Sequence, residues 1–171
     1  MTIQFAFQLL FIGCMVWAAA TDLYTFRIFN SLILVLLAAF AVFAAVSVGV
    51  LDTLNLASIG WHALAALCAF ALFLIFYIIG QMGAGDVKLI GATVLWLGWS
   101  KASFDYVLYS LIAGGVLTIM LLIWRRFPLP HALARVRFIK RLHIRRLKTP
   151  YGITLGGVAI WASFQAPIFQ M

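Results

Sequence analysis

Long apolar runs alternate with short polar stretches along the chain, and several runs have the length of a membrane span. A transmembrane helix needs about 20 predominantly apolar residues. The runs predict helices over residues 3–21, 31–51, 59–80, 87–99, 104–124 and 151–168. The fourth run is short, and Pro150 precedes the sixth, where proline suits the first turn of a helix. We therefore predict an all-α integral membrane protein, a bundle of six transmembrane helices.

Composition agrees with this class of protein. Of the 171 residues, 66% are hydrophobic and 9% are charged, whereas soluble domains have about 45–50% apolar and about 25% charged residues. A soluble core of this size could not hide so much apolar surface, but lipid can. Residues 1–171 are predicted to form a single membrane-embedded domain.

The basic residues are concentrated in one place. The chain has twelve Lys and Arg, and nine of them fall between residues 125 and 148. Placed after an apolar run, segment 125–149 is interpreted as a cytoplasmic anchor on anionic lipid rather than a nucleic-acid site. An apolar stripe at every third position predicts an interfacial helix over 131–148, and a plain basic loop is the alternative.

Basic residues also predict the orientation. Arg27 lies in the first loop, Lys88 at the end of the third, and the basic segment forms the fifth. The positive-inside rule assigns these three loops to the cytoplasm, which leaves both termini outside. Residues 1–4 contain no Lys or Arg, so the first run is interpreted as a retained helix and not a signal peptide.

Two of the four carboxylates are candidates for chemistry. Asp52 and Asp105 lie in or beside the outer loops, whereas Asp22 ends the first helix and Asp86 begins the fourth. The predicted topology puts the latter two on the same side. Two neighbouring carboxylates share one proton and supply an acid and a base, as peptide hydrolysis requires. Alternatively, Asp86 is only a helix N-cap and Asp22 a boundary residue.

The neighbours of Asp86 form a GxGD motif. Gly83-Ala84-Gly85-Asp86-Val87-Lys88 has glycines that permit positive φ and close backbone approach, which suits a loop that brings a peptide to a carboxylate. It is not a dinucleotide fingerprint, because no βαβ unit surrounds it. Cys14 and Cys68 lie in apolar runs without a CxxC pattern, so neither a metal site nor a cofactor is predicted.

Three motifs together resemble the type IV prepilin peptidases. Residues 22–30 (DLYTFRIFN) are similar to that family's first motif, an Asp followed by a basic residue and Pro-Asn; residues 83–88 are similar to its second. Pro150-Tyr151-Gly152 resembles a Pro-Tyr-Gly sequence that many members of this family have near their last helix. Phe29 stands where the family usually has proline, which leaves the loop geometry open.

The resemblance implies a GxGD-type aspartyl endopeptidase of the bacterial inner membrane. It would cut prepilins or pilin-like proteins at the cytoplasmic face, with Asp22 and Asp86 as the catalytic pair. The supporting residues would be Arg27, Asn30, Gly83, Gly85 and Lys88. The chain looks like the short form that serves Flp-type pili, without the cysteine-rich insertion of longer members, so their methyltransferase activity is not carried over.

Other interpretations remain open. In a transporter or proton channel, Asp22 and Asp86 would be relay groups. A non-catalytic assembly protein would use the basic loop to dock a partner. Signal-peptide-peptidase-like enzymes also pair two aspartates, but the flanks of Asp22 and the Lys after GxGD favour the prepilin branch.

Overall fold

The computed structural model describes residues 2–51, 53–127 and 149–170, and every regular element in them is helical. The helices are α1 (Thr2–Thr25), α2 (Asn30–Gly49), α3 (Leu56–Ile78), α4 (Ala84–Leu97), α5 (Lys101–Trp124), α6 (Tyr151–Ser163) and α7 (Pro167–Gln170). The predicted all-helical architecture is confirmed. The basic segment 125–149, and the interfacial helix predicted over 131–148, lie almost entirely outside the described residues.

A helix is found at each of the six predicted positions, but four of them have the length and hydropathy of a membrane span. These are α1, α2, α3 and α5, whereas α4 has 14 residues and α6 has 13. At 1.5 Å per residue, the two short helices reach only about 20 Å of a hydrocarbon core that is about 30 Å thick. The count of six spans is therefore not confirmed.

The sixth predicted helix is interrupted. It ends at Ser163, and the chain turns before α7 begins at Pro167. Proline restricts the preceding residue to extended conformations and cannot donate a helical hydrogen bond. A single helix over 151–168 was therefore wrong in its last turn, because Pro167 starts a new helix.

Polar caps start two of the helices. The Asn55 side chain accepts a hydrogen bond from the Ser58 N–H at 2.7 Å and begins α3. The Ser100 hydroxyl accepts one from the Ser103 N–H at 3.3 Å and begins α5. Such caps satisfy backbone donors that the first helical turn leaves free, and they fix where each helix starts after a short loop.

Helix α4 forms the centre of the bundle. Ten of its 14 residues are buried, and it packs against α2, α3, α5 and α6. Trp96 is fully buried among rings of α1, α2 and α7. In contrast, only 17% of the most apolar window is buried in α3 and in α5. Their exposed apolar faces suit lipid rather than water.

Contacts around Trp96 and Thr93 fix the relative direction of α1 and α4. The Trp96 ring lies 6.1 Å from that of Phe7 and 5.9 Å from that of Phe11. Thr93, one turn earlier in α4, directs its hydroxyl at the sulfur of Met15, one turn later in α1, at 3.8 Å. The two helices therefore run antiparallel, and residues later in α1 lie beside residues earlier in α4.

Candidate functional site

Asp22 lies inside α1, three residues before its end, and its side chain is buried. One carboxylate oxygen, Oδ2, accepts a hydrogen bond from the Gly152 N–H at 2.6 Å. Gly152 is the second residue of α6, where backbone N–H groups have no partner within the helix. The positive end of the α6 dipole thus faces the Asp22 carboxylate. This contact joins two motifs that lie 130 residues apart.

Gly152 could not be another residue in this arrangement. A Cβ atom built on it would lie 2.6 Å from the Cβ and 2.9 Å from the Oδ2 of Asp22. The Cβ atom of Asp22 is attached to the backbone, so it cannot move unless α1 moves. The hydrogen bond and the close approach therefore both depend on a glycine at this position.

Asp86 is the third residue of α4 and is also buried. Its Oδ2 accepts a hydrogen bond from the Gly83 N–H at 3.0 Å. The alternative interpretation of Asp86 as the helix N-cap was wrong, because Gly83 holds the N-cap position and Asp86 lies three residues later. The Asp86 carboxylate instead reaches back one turn, like the acidic residue of a capping box.

The antiparallel register brings Asp22 and Asp86 to the same end of the bundle. Met15 of α1 and Thr93 of α4 are in contact. Asp22 lies seven residues after Met15, and Asp86 lies seven residues before Thr93. With a rise of 1.5 Å per residue, each aspartate is about 10 Å from that contact, in the same direction. The two carboxylates therefore do not form a relay across the bundle.

The loop after α1 packs closely on the start of α4. A Cβ atom on Gly85 would lie 3.1 Å from the Cβ and 3.3 Å from the carbonyl oxygen of Ile28. Gly83 has a φ of −80°, and neither motif glycine has a positive φ. Of the two properties that glycine permits, a positive φ and a close backbone approach, the structure uses close approach at this motif.

The other predicted site residues fall into two groups. Lys88 donates a hydrogen bond from Nζ to the Asn30 Oδ1 at 3.1 Å, which links the two aspartate motifs. Arg27 is exposed, and within the described ranges its side chain has no hydrogen bond or ion pair. The Lys88–Asn30 pair therefore ties the start of α2 to α4, while Arg27 stands apart from it.

Phe29, which replaces the family's usual proline, has a backbone conformation that proline can adopt. Its φ is −75° and its ψ is 137°, and proline fixes φ at about −65°. Its N–H donates to no backbone oxygen among the described residues. The departure from the motif therefore leaves the loop in the geometry that a proline would impose.

We expect Phe29→Pro to retain the fold and to raise the free energy of unfolding by about 0.4–1 kcal/mol. The gain would come from the smaller conformational entropy of the unfolded chain. Thermal unfolding in detergent would measure it, with Phe29→Ala as the control that removes the ring without adding proline. A Phe29→Pro variant less stable than Phe29→Ala would contradict the proposed compatibility.

Tyr151 belongs to the site although no sequence pattern predicted it as a site residue. Its hydroxyl lies 2.9 Å from the Thr118 hydroxyl of α5, and its ring covers Gly114, whose added Cβ would lie 3.0 Å from it. These contacts fix the first turn of α6, and hence the Gly152 N–H, against α5. The Pro-Tyr-Gly sequence was the available signal, but nothing in it indicated which residues Tyr151 would contact.

The arrangement of the two carboxylates can support acid–base chemistry. Each carboxylate is buried and accepts a hydrogen bond from a backbone N–H at the start of a helix, Asp22 from α6 and Asp86 from α4. A buried carboxylate of this kind can exchange a proton with water or with a peptide carbonyl. Within residues 2–51, 53–127 and 149–170, no group of three or more His, Cys, Asp or Glu could hold a metal ion.

Two buried aspartates lie at one end of this apolar helical bundle, and sequence comparison identifies the family. The sequence profile of the type IV leader peptidase family matches residues 9–122, which include both aspartates. The chain therefore belongs to the type IV leader peptidase family. No significant match was found among curated proteins or among solved structures.

Proposed function

We propose that this chain is a membrane-embedded aspartyl endopeptidase that removes the leader peptide from Flp-type prepilins or pilin-like proteins. The observation that carries the proposal is the register of α1 and α4, with Asp22 and Asp86 at the same end of the bundle and each bound by a backbone N–H. Family membership supports a leader peptide as substrate.

The proposed reaction uses Asp22 and Asp86 as a pair that shares one proton. The ionised carboxylate takes a proton from water as the water oxygen attacks the scissile carbonyl carbon. The protonated carboxylate donates its proton to the carbonyl oxygen. As the gem-diol intermediate collapses and its C–N bond breaks, the first carboxylate gives its proton to the leaving amine, and the second takes a proton back from one hydroxyl of the diol, which becomes the C=O of the new carboxyl group. The pair therefore ends the cycle with one proton, as it began.

The supporting residues have distinct proposed roles. Gly83 and Gly85 let backbone and carboxylate approach closely at the start of α4. Lys88 and Asn30 would hold the α1–α2 loop beside the Asp86 segment, and the exposed Arg27 would meet the substrate or the lipid surface. We do not assign the methyltransferase activity of longer family members to this chain.

The proposed location is the cytoplasmic face of the bacterial inner membrane, with both termini outside the cytoplasm. Arg27, Lys88 and the basic residues of 125–148 share one side in a six-span topology, and cytoplasmic loops are rich in Lys and Arg. Anionic lipid of the inner leaflet would bind the basic segment. A prepilin leader lies on that side, so the aspartates would meet the junction between leader and apolar helix.

Co-expression with a Flp-type prepilin tests the function. The intact mass of the pilin would be measured in membranes with and without the chain, at matched prepilin levels. We expect a loss equal to the mass of the leader only when the chain is present. An unchanged pilin mass, with the chain present in the membrane, would overturn the proposed prepilin substrate.

A further inference from the structure

An apolar groove lies between α3 and α5, next to the aspartate end of the bundle. Its volume is about 360 Å³. The walls include Phe76 near the end of α3, Met82 of the following loop, Tyr151 of α6, and one face of α5 with Ser110, Gly115 and Thr118. We call it the α3–α5 groove. Most of its lining is apolar, so it suits an apolar occupant.

The shape of the groove suits one face of a helix. The α5 wall extends from Ser110 to Ile119, which is about 13 Å at 1.5 Å per residue, or nearly half of the hydrocarbon core. Gly115 faces open space, since a Cβ built there meets no atom within 4 Å. Small residues on such a face let a second helix approach closely in lipid.

The groove is continuous with both segments that bind the aspartates. Met82 directly precedes Gly83, whose N–H binds Asp86, and Tyr151 directly precedes Gly152, whose N–H binds Asp22. An occupant of the groove would therefore place its end beside both carboxylates. Continuity with the catalytic pair distinguishes this groove from an ordinary irregularity of the lipid-facing surface.

Two buried hydroxyl groups lie in and behind the groove wall. Ser110 is in the wall and is buried, and Tyr106, one turn earlier in α5, is fully buried. Neither the Tyr106 hydroxyl nor the Ser110 hydroxyl has a hydrogen-bond partner among the described residues, and the Asp86 carboxylate is close enough to act on Tyr106 electrostatically. Buried hydroxyls with free hydrogen-bonding capacity beside the groove suit a place where a peptide junction and water meet.

We propose that the α3–α5 groove holds the first turns of the apolar helix of the prepilin substrate, so that the leader junction lies at Asp22 and Asp86. This inference rests on the proposed function and adds to it the surface that recognises the substrate. The recognised chemistry is an apolar helix that follows a polar leader. A helix bound in the groove would place the junction with its leader at the end of the bundle that holds both aspartates.

A second apolar groove provides an internal comparison. It has a volume of about 430 Å³ and lies between α2 and α3 over α4, with Leu37, Leu67 and Gly91 in its walls. We call it the α2–α3 groove. Its polar end is Lys88, which is hydrogen-bonded to Asn30. Neither of the segments that bind the carboxylates through a backbone N–H lines it, so we expect the substrate helix in the other groove.

Disulfide cross-linking to a Flp-type prepilin tests the inference. The background would carry Cys14→Ala and Cys68→Ala, which remove both native cysteines, and Asp86→Asn, which keeps the prepilin uncut. Gly115→Cys reports on the α3–α5 groove and Leu67→Cys on the α2–α3 groove. Gly157→Cys, on an open face of α6, is the control. The prepilin would carry single cysteines along the start of its apolar helix.

We expect cross-links from Gly115→Cys at positions one helical turn apart, and background levels from the other two variants. Cross-links from Leu67→Cys instead, or equal yields from all three, would overturn the inference. The parallel cleavage assay uses the wild-type chain, so the two proposals can fail separately. Cross-linking without cleavage would overturn the proposed peptidase activity and support the groove as a helix-binding surface. Cleavage without cross-linking at residue 115 would support the peptidase activity and overturn the proposed groove.

A second variant tests the groove through activity. Gly115→Leu would add a side chain to the groove at a position where the Cβ itself meets no atom within 4 Å. We expect at least a tenfold lower cleavage rate for a full prepilin, with Gly157→Leu unchanged. Equal rates for the two leucine variants would contradict a substrate helix at residue 115.

Discussion

Asp22→Asn and Asp86→Asn are each expected to leave the prepilin leader attached, with cleavage at least about 100-fold slower than in the wild type. General acid–base catalysis contributes roughly 10²–10⁴-fold, and an amide can neither accept nor donate the shared proton. Because the two carboxylates act as one unit, removing both should slow cleavage little more than removing either one. The readout is the rate of leader loss, followed by intact mass.

Asn is nearly isosteric with Asp, so it retains an oxygen that can accept the Gly152 or Gly83 N–H. The variants should therefore reach the membrane at wild-type levels and unfold at similar temperatures. Asp105→Asn, the same substitution near the start of α5, is the matched control and should cleave normally. Cleavage that survives in both aspartate variants would exclude the aspartyl mechanism. Loss of ion flux, in a chain that never cuts a prepilin, would favour the transporter alternative.

The positions of the helices could be predicted from sequence because apolar runs of bilayer length are a local property. The ends of the helices were harder to predict, because individual hydrogen bonds and single residues determine where each helix starts and stops. The start of α4 is set at Gly83 by a hydrogen bond to Asp86, and the turn before α7 is set by Pro167. Asp22 was expected at a helix end but lies within α1, since the helix continues to Thr25.

The motifs also indicated the candidate site, but not the contacts that build it. Asp22, Asp86 and Lys88 were identified from their neighbours along the chain. The partner of Asp22 could not be, because Gly152 is 130 residues away and only the packing of α1 on α6 brings the two together. The same applies to Tyr151 on Thr118 and to the Met15–Thr93 contact that fixes the register. Such contacts depend on tertiary packing, which hydrophobic periodicity does not predict.

Gly152→Ala is expected to cost most of the cleavage activity, at least tenfold, and to lower the free energy of unfolding. An alanine Cβ would lie 2.6 Å from the Cβ of Asp22, so α1 and α6 must separate. Overpacking of this kind costs about 1–3 kcal/mol, and the separation weakens the hydrogen bond between the Gly152 N–H and the carboxylate. The cleavage rate and the thermal unfolding temperature in detergent would be measured on the same preparation.

Gly157→Ala gives the matched control, because it makes the same substitution in the same helix at a position where a Cβ meets nothing within 4 Å. Alanine is favoured over glycine in a helix by about 1 kcal/mol, so Gly157→Ala should be as stable as the wild type or more so, with normal cleavage. The difference between the two variants therefore isolates the contact with Asp22 from helix propensity. Equal activity in both would mean that the close approach of α6 to Asp22 is dispensable for the reaction. Lower activity in Gly152→Ala alone, at retained expression, would assign the Gly152 N–H to the positioning of the Asp22 carboxylate.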